Sequence, residues 1–233
     1  MSSGPGYMQT MRLGDGTTIQ FDARKGAPQI KKEKDGTYSI FNANGAKITG
    51  AKEGSHINII GGKDVSFNGN GKGNDSVNLF NCNGTNINGG DGNDRIQVFG
   101  GKDNKVNGGD GNDFIRNFSN GTKIDGGKGN DTIFSRGGNN QIYGGDGRDR
   151  INSYGYHNKV DGGWGNDMIN SFGFGNQNIG GPGFDFVNGH REFGSGPAGF
   201  GSYPTFGFAP HHGPHGPHHH PHGPHHGPQK YWG

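Results

Sequence analysis

Apolar side chains are scarce in this chain: hydrophobic residues make up 26% of its 233 positions, against roughly 45–50% in an ordinary soluble domain. A layered core of the usual thickness is therefore excluded. Cysteine is nearly absent, and Cys82 alone can neither close a disulfide nor form a CxxC zinc or redox pair; it reads as a small buried residue. No proline occurs between Pro28 and Pro182, which suits a region where every backbone N–H must join a ladder. Neither sign of charge dominates, the formal net charge being +2, and a dedicated nucleic-acid binder is not expected. The longest apolar stretch, Ile57-Asn58-Ile59-Ile60, is far short of a membrane span. The opening MSSGPGYMQTMRLGDG has no apolar core of a cleaved signal. The chain is expected to be soluble, or to leave the cell by a route without such a signal. With 16 Phe and 7 Tyr it is also too aromatic for a self-repelling disordered polymer.

Glycine is what the chain has in excess, 52 residues, and its distribution is periodic. GGDGND occurs at 89–94 and again at 108–113, with relatives NGKGND (70–75), GGKGND (126–131), GGDGRD (144–149), GGWGND (162–167) and GGPGFD (180–185). The closing residues Asp75, Asp94, Asp113, Asp131, Asp149, Asp167 and Asp185 recur every 18 or 19 positions. Two residues after each stands Val77, Ile96, Ile115, Ile133, Ile151, Ile169 or Val187. An aromatic usually follows three further on, at Phe80, Phe99, Phe118, Tyr154 and Phe172, with Arg136 breaking the series. A weaker pattern in the second half of each period also ends on an aliphatic, as in NGTNIN (83–88) and NGTKID (120–125). The unit is two short strands joined by two Gly-rich turns. One unit cannot bury its own face, so the units must stack. At roughly 4.8 Å per coil each strand pairs with its copies above and below, and a core one side chain wide needs few apolar residues. The expected fold is all-β: a right-handed parallel β-roll or β-solenoid of 18–19-residue coils over 36–188, about eight in number.

Stacking lines the seven aspartates up in one file. Neighbouring carboxylates roughly 4.8 Å apart repel by about 1 kcal/mol in water and more near protein, so such a file calls for a cation. Carboxylates with turned-in carbonyls, and no thiolate or imidazole, suit a hard ion with six or more oxygens, Ca2+ better than Mg2+. The competing role is simple turn capping through Asx hydrogen bonds. Glycines at the first, second and fourth turn positions allow left-handed backbone and close carbonyl approach, and Asn at the fifth tolerates the same region.

GGDGND followed by an x-Ile-x strand resembles the GGxGxDxUx nonapeptide of RTX, or hemolysin-type, calcium-binding β-rolls. The resemblance covers 70–188 well and 36–69 weakly. It implies Ca2+ between consecutive turns, held by the metal ligands Asp75, Asp94, Asp113, Asp131, Asp149, Asp167 and Asp185 with turn carbonyls, and folding that follows calcium. RTX rolls usually carry calcium on both edges. Here the equivalent positions of the other edge are neutral, Thr85, Asn104, Thr122, Asn140, Asn158 and Asn176. A one-sided roll is expected, with an Asn/Thr ladder opposite the ions.

The ends differ from the middle. Residues 1–35 are expected to form a small β cap over the first coil. Residues 189–210 are rich in Gly and aromatics, and 211–233 form a His/Pro/Gly-rich tail expected to be disordered, a solvated tether or a weak binder of Zn2+, Ni2+ or Cu2+. No phosphate loop, zinc-protease motif or Ser/His/Asp set is present, so no enzyme activity is expected. The exposed third turn position, Lys72, Asp91, Asp110, Lys128, Asp146, Trp164 and Pro182, is too uneven for an ice-binding array. The aromatic series is expected to pack in the core or at corners, a sugar-binding strip being the alternative if the rings point outward. Together these features suggest a secreted, extracellular bacterial structural protein that self-associates into a matrix, surface layer, filament or adhesive assembly, with a glycan or other surface partner. An effector acting through its termini is the alternative.

Overall fold

The computed structural model describes residues 7–188 and 190–194. The segment from 195 to 210 and the tail at 211–233, with the expectations attached to them, lie outside the described residues. Three strands open the chain, β1 (Met8–Arg12), β2 (Thr18–Asp22) and β3 (Gln29–Lys32), with a short 3-10 turn at Ala23–Lys25. From residue 38 the strands come two to a coil: β4 (Tyr38–Phe41) with β5 (Lys47–Thr49), β6 (His56–Ile60) with β7 (Ser66–Asn68), β8 (Ser76–Phe80) with β9 (Asn86–Asp91), and β10 (Arg95–Lys102) with β11 (Lys105–Asp110). The series continues through β12 (Phe114–Asn120) with β13 (Lys123–Lys128), β14 (Thr132–Arg136) with β15 (Gln141–Asp146), β16 (Arg150–Tyr154) with β17 (Lys159–Trp164), and β18 (Met168–Phe172) with β19 (Gln177–Ile179). A last, incomplete coil begins with β20 (Gly183–Val187) and is followed by β21 (His190–Gly194).

The result is an all-β parallel solenoid of about eight turns with coils of about 18 residues. Odd-numbered strands from β5 to β19 stack in one sheet, and even-numbered strands from β4 to β20 stack in the other. Pairing within the coils is parallel and in register, Ile96 beside Val77 and Ile115, Ile133 beside Ile151. At the start of the chain β1 and β2 extend the first sheet antiparallel, and β3 covers β4 in the same manner. At the far end β21 turns back antiparallel on β20. The end strands of the two sheets are therefore β1 and β19 in the first and β3 and β21 in the second. Among the described residues no helix is long and apolar enough to cross a membrane.

Two facing ladders of buried aliphatics fill the interior. One runs Ile57, Val77, Ile96, Ile115, Ile133, Ile151, Ile169 and Val187; the other runs Ile48, Phe67, Ile87, Val106, Ile124, Ile142 and Val160. The core is not one side chain wide throughout, as the repeat suggested. A second inward row holds Ile40, Ile59, Leu79 and Val98 in the early coils, then changes to Asn117, Ser135, Ser153 and Ser171 in the same register. Asn117 donates to Ser135 Oγ at 3.1 Å and Ser119 Oγ donates to Asn117 Oδ1 at 2.6 Å, while the hydroxyls of Ser153 and Ser171 are buried without a hydrogen-bond partner, so this row is polar but only partly hydrogen-bonded. Cys82 is buried, its thiol directed at the Ile59 carbonyl.

Because each coil touches only its neighbours, a void in one ladder cannot be filled from elsewhere. Ile133→Ala is expected to lower stability by about 2–5 kcal/mol, while Phe174→Ala, at a side chain that is 79% exposed, should shift it by no more than about 0.5 kcal/mol. Urea unfolding of the calcium-saturated protein measures both; equal effects would contradict a core carried by these ladders.

Candidate metal centre

Each GGxGxD turn carries the chain from a strand of the first sheet to the next strand of the second. Its second and fourth glycines are left-handed, Gly109 at φ 118° and Gly111 at φ 143° in one coil. The first glycine is required for a different reason. A Cβ on Gly108 would lie 2.2 Å from Asp113 Oδ2 and 2.4 Å from the Gly126 carbonyl of the next coil, and Gly126 and Gly144 repeat the arrangement with Asp131 and Asp149. The fifth-position asparagines are not left-handed; the non-glycine residues with positive φ, Asn81, Asp103, Asn139 and His157 among them, sit on the opposite edge. The fifth-position side chains instead bind along the stack, Asn112 N–H donating to Asn93 Oδ1 and Asn130 N–H to Asn112 Oδ1, each at 2.7 Å. Their amides hold successive turns at one spacing.

All seven expected aspartates are brought into one file, and all are no more than 2% exposed. One oxygen of each is committed. The N–H groups of Asp75, Asp94 and Asp113 donate to Oδ1 of Asp94, Asp113 and Asp131 at 2.7 Å, and those of Asp131, Asp149 and Asp167 donate to Oδ1 of the next aspartate at 2.8 Å. Hydrogen bonding therefore occupies one carboxylate oxygen, between coils and not within the turn. The other oxygen, Oδ2 of Asp94, Asp113, Asp131, Asp149, Asp167 and Asp185, is buried without a hydrogen-bond partner.

The opposite edge shows what this means. There Thr122, Asn140 and Asn158 donate N–H to Oδ1 of Asn140, Asn158 and Asn176 at 2.8–2.9 Å, the same ladder in neutral form. The remaining amide nitrogen is satisfied, Asn140 Nδ2 donating to the Ser119 carbonyl and Asn158 Nδ2 to the Gly137 carbonyl. On the acidic edge the equivalent atom is an oxygen that converges with a glycine carbonyl on the same small space. Two acceptors cannot bond each other. A cation between them resolves both, and the donor chemistry, carboxylate and carbonyl oxygen, fits Ca2+. Among the described residues no three His, Cys, Asp or Glu side chains cluster, so further ligands would come from the backbone.

Residues 85–115, 121–151 and 143–171 match the family model of the RTX calcium-binding nonapeptide repeat. These segments are similar to RTX calcium-binding repeats. No curated protein and no solved structure matches the chain.

The aspartate file has a beginning that the repeat pattern did not reveal. One coil before Asp75 the position is taken by Ser55, whose N–H donates to Asp75 Oδ1 and whose hydroxyl lies 3.0 Å from that of Thr17. A pair of hydroxyls thus stands at the end of the file, Thr17 donating in turn to the Asp15 carboxylate at 3.0 Å. The only sequence signal for it was the lapse of the period before residue 70. Outward, the aromatic column differs from expectation: the rings lie on the outer face of the second sheet, with Phe134 in place of the Arg136 position bridging Phe118 and Tyr154 at 5.7 and 5.5 Å.

Burial is the main cause that raises the aspartate pKa values, the carboxylate neighbours adding to it: to about 7 for Asp75, Asp113, Asp131, Asp149 and Asp167, and to about 6 for Asp94. Folded values above the unfolded one mean that the metal-free fold binds protons more tightly than the unfolded chain. Its stability is fullest near pH 4 and is lost as pH rises through about 6–7. In chelator, the urea midpoint is expected to be higher at pH 5 than at pH 8, and calcium should remove or reverse the difference. Equal midpoints in chelator would mean that the carboxylates are solvated. Gly126→Ala is expected to remove one ion from the calcium stoichiometry measured by calorimetry and to destabilise the holo form, since its methyl group would occupy the cradle; an unchanged stoichiometry would place the ion elsewhere.

Proposed function

We propose that this protein is a calcium-dependent structural rod that works outside the cell and folds when it meets the ion, with Asp75, Asp94, Asp113, Asp131, Asp149, Asp167 and Asp185 as the carboxylate ligands down one edge. The supporting observation is the file of buried Oδ2 atoms facing glycine carbonyls. Without an ion, every coil buries a repelling acceptor pair, and taking charge out of water without a partner costs several kcal/mol per group. With an ion, each coil is fastened to the next. Ligand sets with so few carboxylates belong with the weak extracellular class of calcium sites, roughly 10⁻⁴–10⁻³ M. A cell interior poor in free calcium would leave the chain loose, and the medium outside would wind it, since an ion that binds only the folded form stabilises that form.

The reading is structural: one oxygen of each carboxylate is engaged in joining a coil to the next. Contacts between chains are expected at the last coils, where Trp164, Phe172 and Phe174 are exposed, a composition common at protein interfaces.

Far-ultraviolet circular dichroism against added Ca2+, with Mg2+ as control, measures the switch. The β signal is expected to rise cooperatively with Ca2+ and not with Mg2+; a complete signal in chelator refutes it. Replacing Asp113 and Asp131 by Asn carries the amide solution of the opposite edge to the acidic one. That variant is expected to show weaker calcium cooperativity, about two fewer ions, and higher stability in chelator than the parent, because each Nδ2 can donate to a carbonyl. Unchanged calcium binding would move the sites away from these residues.

A further inference from the structure

The two outer faces of the solenoid differ in charge. On the first sheet the outward rows mix signs, Lys105, Lys123 and Lys159 alternating with Asp125 and Asp161. On the second sheet the outward residues of β6 to β18 include Arg95, Arg116, Arg136 and Arg150 and no acid at all. The ion pairs among the described residues are Arg24–Asp22, Lys31–Glu33 and Lys128–Asp110; none of these four arginines is in one.

Register places three of the four on a diagonal. Arg95 stands beside Phe114, Arg116 beside Phe134, and Arg136 beside Tyr154, each one coil further along and two residues nearer the opposite edge. The aromatic rings hold two of the guanidiniums in place: Arg95 lies 4.6 Å from the Phe114 centroid, and Arg116 lies 5.1 and 5.8 Å from those of Phe118 and Phe134. Such stacking limits the rotamers lost on binding; Arg95 Nη2 makes only a long bond of 3.5 Å to Gln97 Oε1, which a carboxylate or sulfate can replace with a charge-assisted one.

We propose that this Arg/aromatic face binds an acidic polysaccharide laid along the solenoid. Charge complementarity selects an anionic partner. Ring geometry selects against bases: Phe80, Phe99 and Phe118 stack face to face at 5.1 and 5.6 Å with planes 11° and 8° apart, so those rings cover one another and offer no platform for nucleotides. Neutral sugars gain no stacking platform on those three rings either, so along these coils charge is the handle. The acids on the other faces keep the molecule from being a general polyanion sink. The proposal deepens the extracellular reading by naming a partner class, but it does not require the calcium switch.

Fluorescence anisotropy of the calcium-loaded full chain at roughly physiological ionic strength tests it with labelled hyaluronan and heparin fragments, neutral dextran and poly(dT). Binding to hyaluronan or heparin that weakens with added salt, exceeds that to poly(dT) and is absent for dextran is expected. Replacing Arg95, Arg116, Arg136 and Arg150 by Gln should weaken it by about tenfold or more, and replacing Lys105, Lys123 and Lys159 by Gln should leave it within about twofold. If the Arg variant does not fold by circular dichroism, the four-Lys replacement of the same residues keeps the charge and should still bind less tightly, the fork being lost. No binding to either acidic polysaccharide, tighter binding to poly(dT), or equal loss in the Lys→Gln variant overturns the proposal. Because the chelator experiments above do not involve this face, its failure leaves the calcium reading standing, and failure of the calcium switch leaves this one testable.

Discussion

One carboxylate per coil, buried and half satisfied, governs this molecule. Its Oδ1 accepts a backbone N–H from the neighbouring coil and is as structural as any ladder bond. Its Oδ2 meets a carbonyl with nothing to offer it. A low-dielectric site makes an unpaired charge expensive in proportion to how well it is buried, so the tightness of the glycine cradle makes the unpartnered oxygen of each turn costly. Three ways of relieving the conflict exist: a proton, an ion, or opening of the coil. Burial, which pushes the aspartate pKa values up, favours the first, and the likeness of the coils to RTX repeats favours the second.

The two edges form an internal comparison. Asn140 and Asn158 occupy the backbone setting that Asp131 and Asp149 occupy across the coil, with the same N–H to Oδ1 bond to the next turn. One atom differs in kind. An amide nitrogen closes its edge with a hydrogen bond, whereas the carboxylate oxygen across the coil finds no donor. The solenoid therefore has one satisfied edge and one with unpartnered oxygens. The polar row of Asn117, Ser135, Ser153 and Ser171 lies between them, hydrogen-bonded at Asn117 and Ser135 and without a side-chain partner at Ser153 and Ser171.

Much of this was legible before any coordinates. The 18- or 19-residue period, the Asp file and the neutral opposite edge are properties of one-dimensional spacing, and a solenoid converts spacing directly into stacking because every coil repeats the pairing of the last. What escaped were the interactions between residues at different phases of the period. Phe134 falls outside the aromatic spacing because it sits two positions ahead of the expected site, yet its ring reaches both neighbours along the column. Ser55 and Thr17 come from different elements and meet only through the antiparallel cap. The fifth-position asparagines were assigned to backbone conformation, when their work is to accept N–H groups from the next coil.

The sequence by itself determined the coil, its length, the stacking of acids and the class of ion they suit, since identical units can satisfy their strand edges only by pairing with one another. The tertiary structure alone decided which carboxylate oxygen is left over, where the charged file ends, and that the rings and arginines share one outer face free of acids. Those facts depend on which side of a strand faces inward and on the distance between one turn and the next, and neither is written in the order of residues along a single repeat.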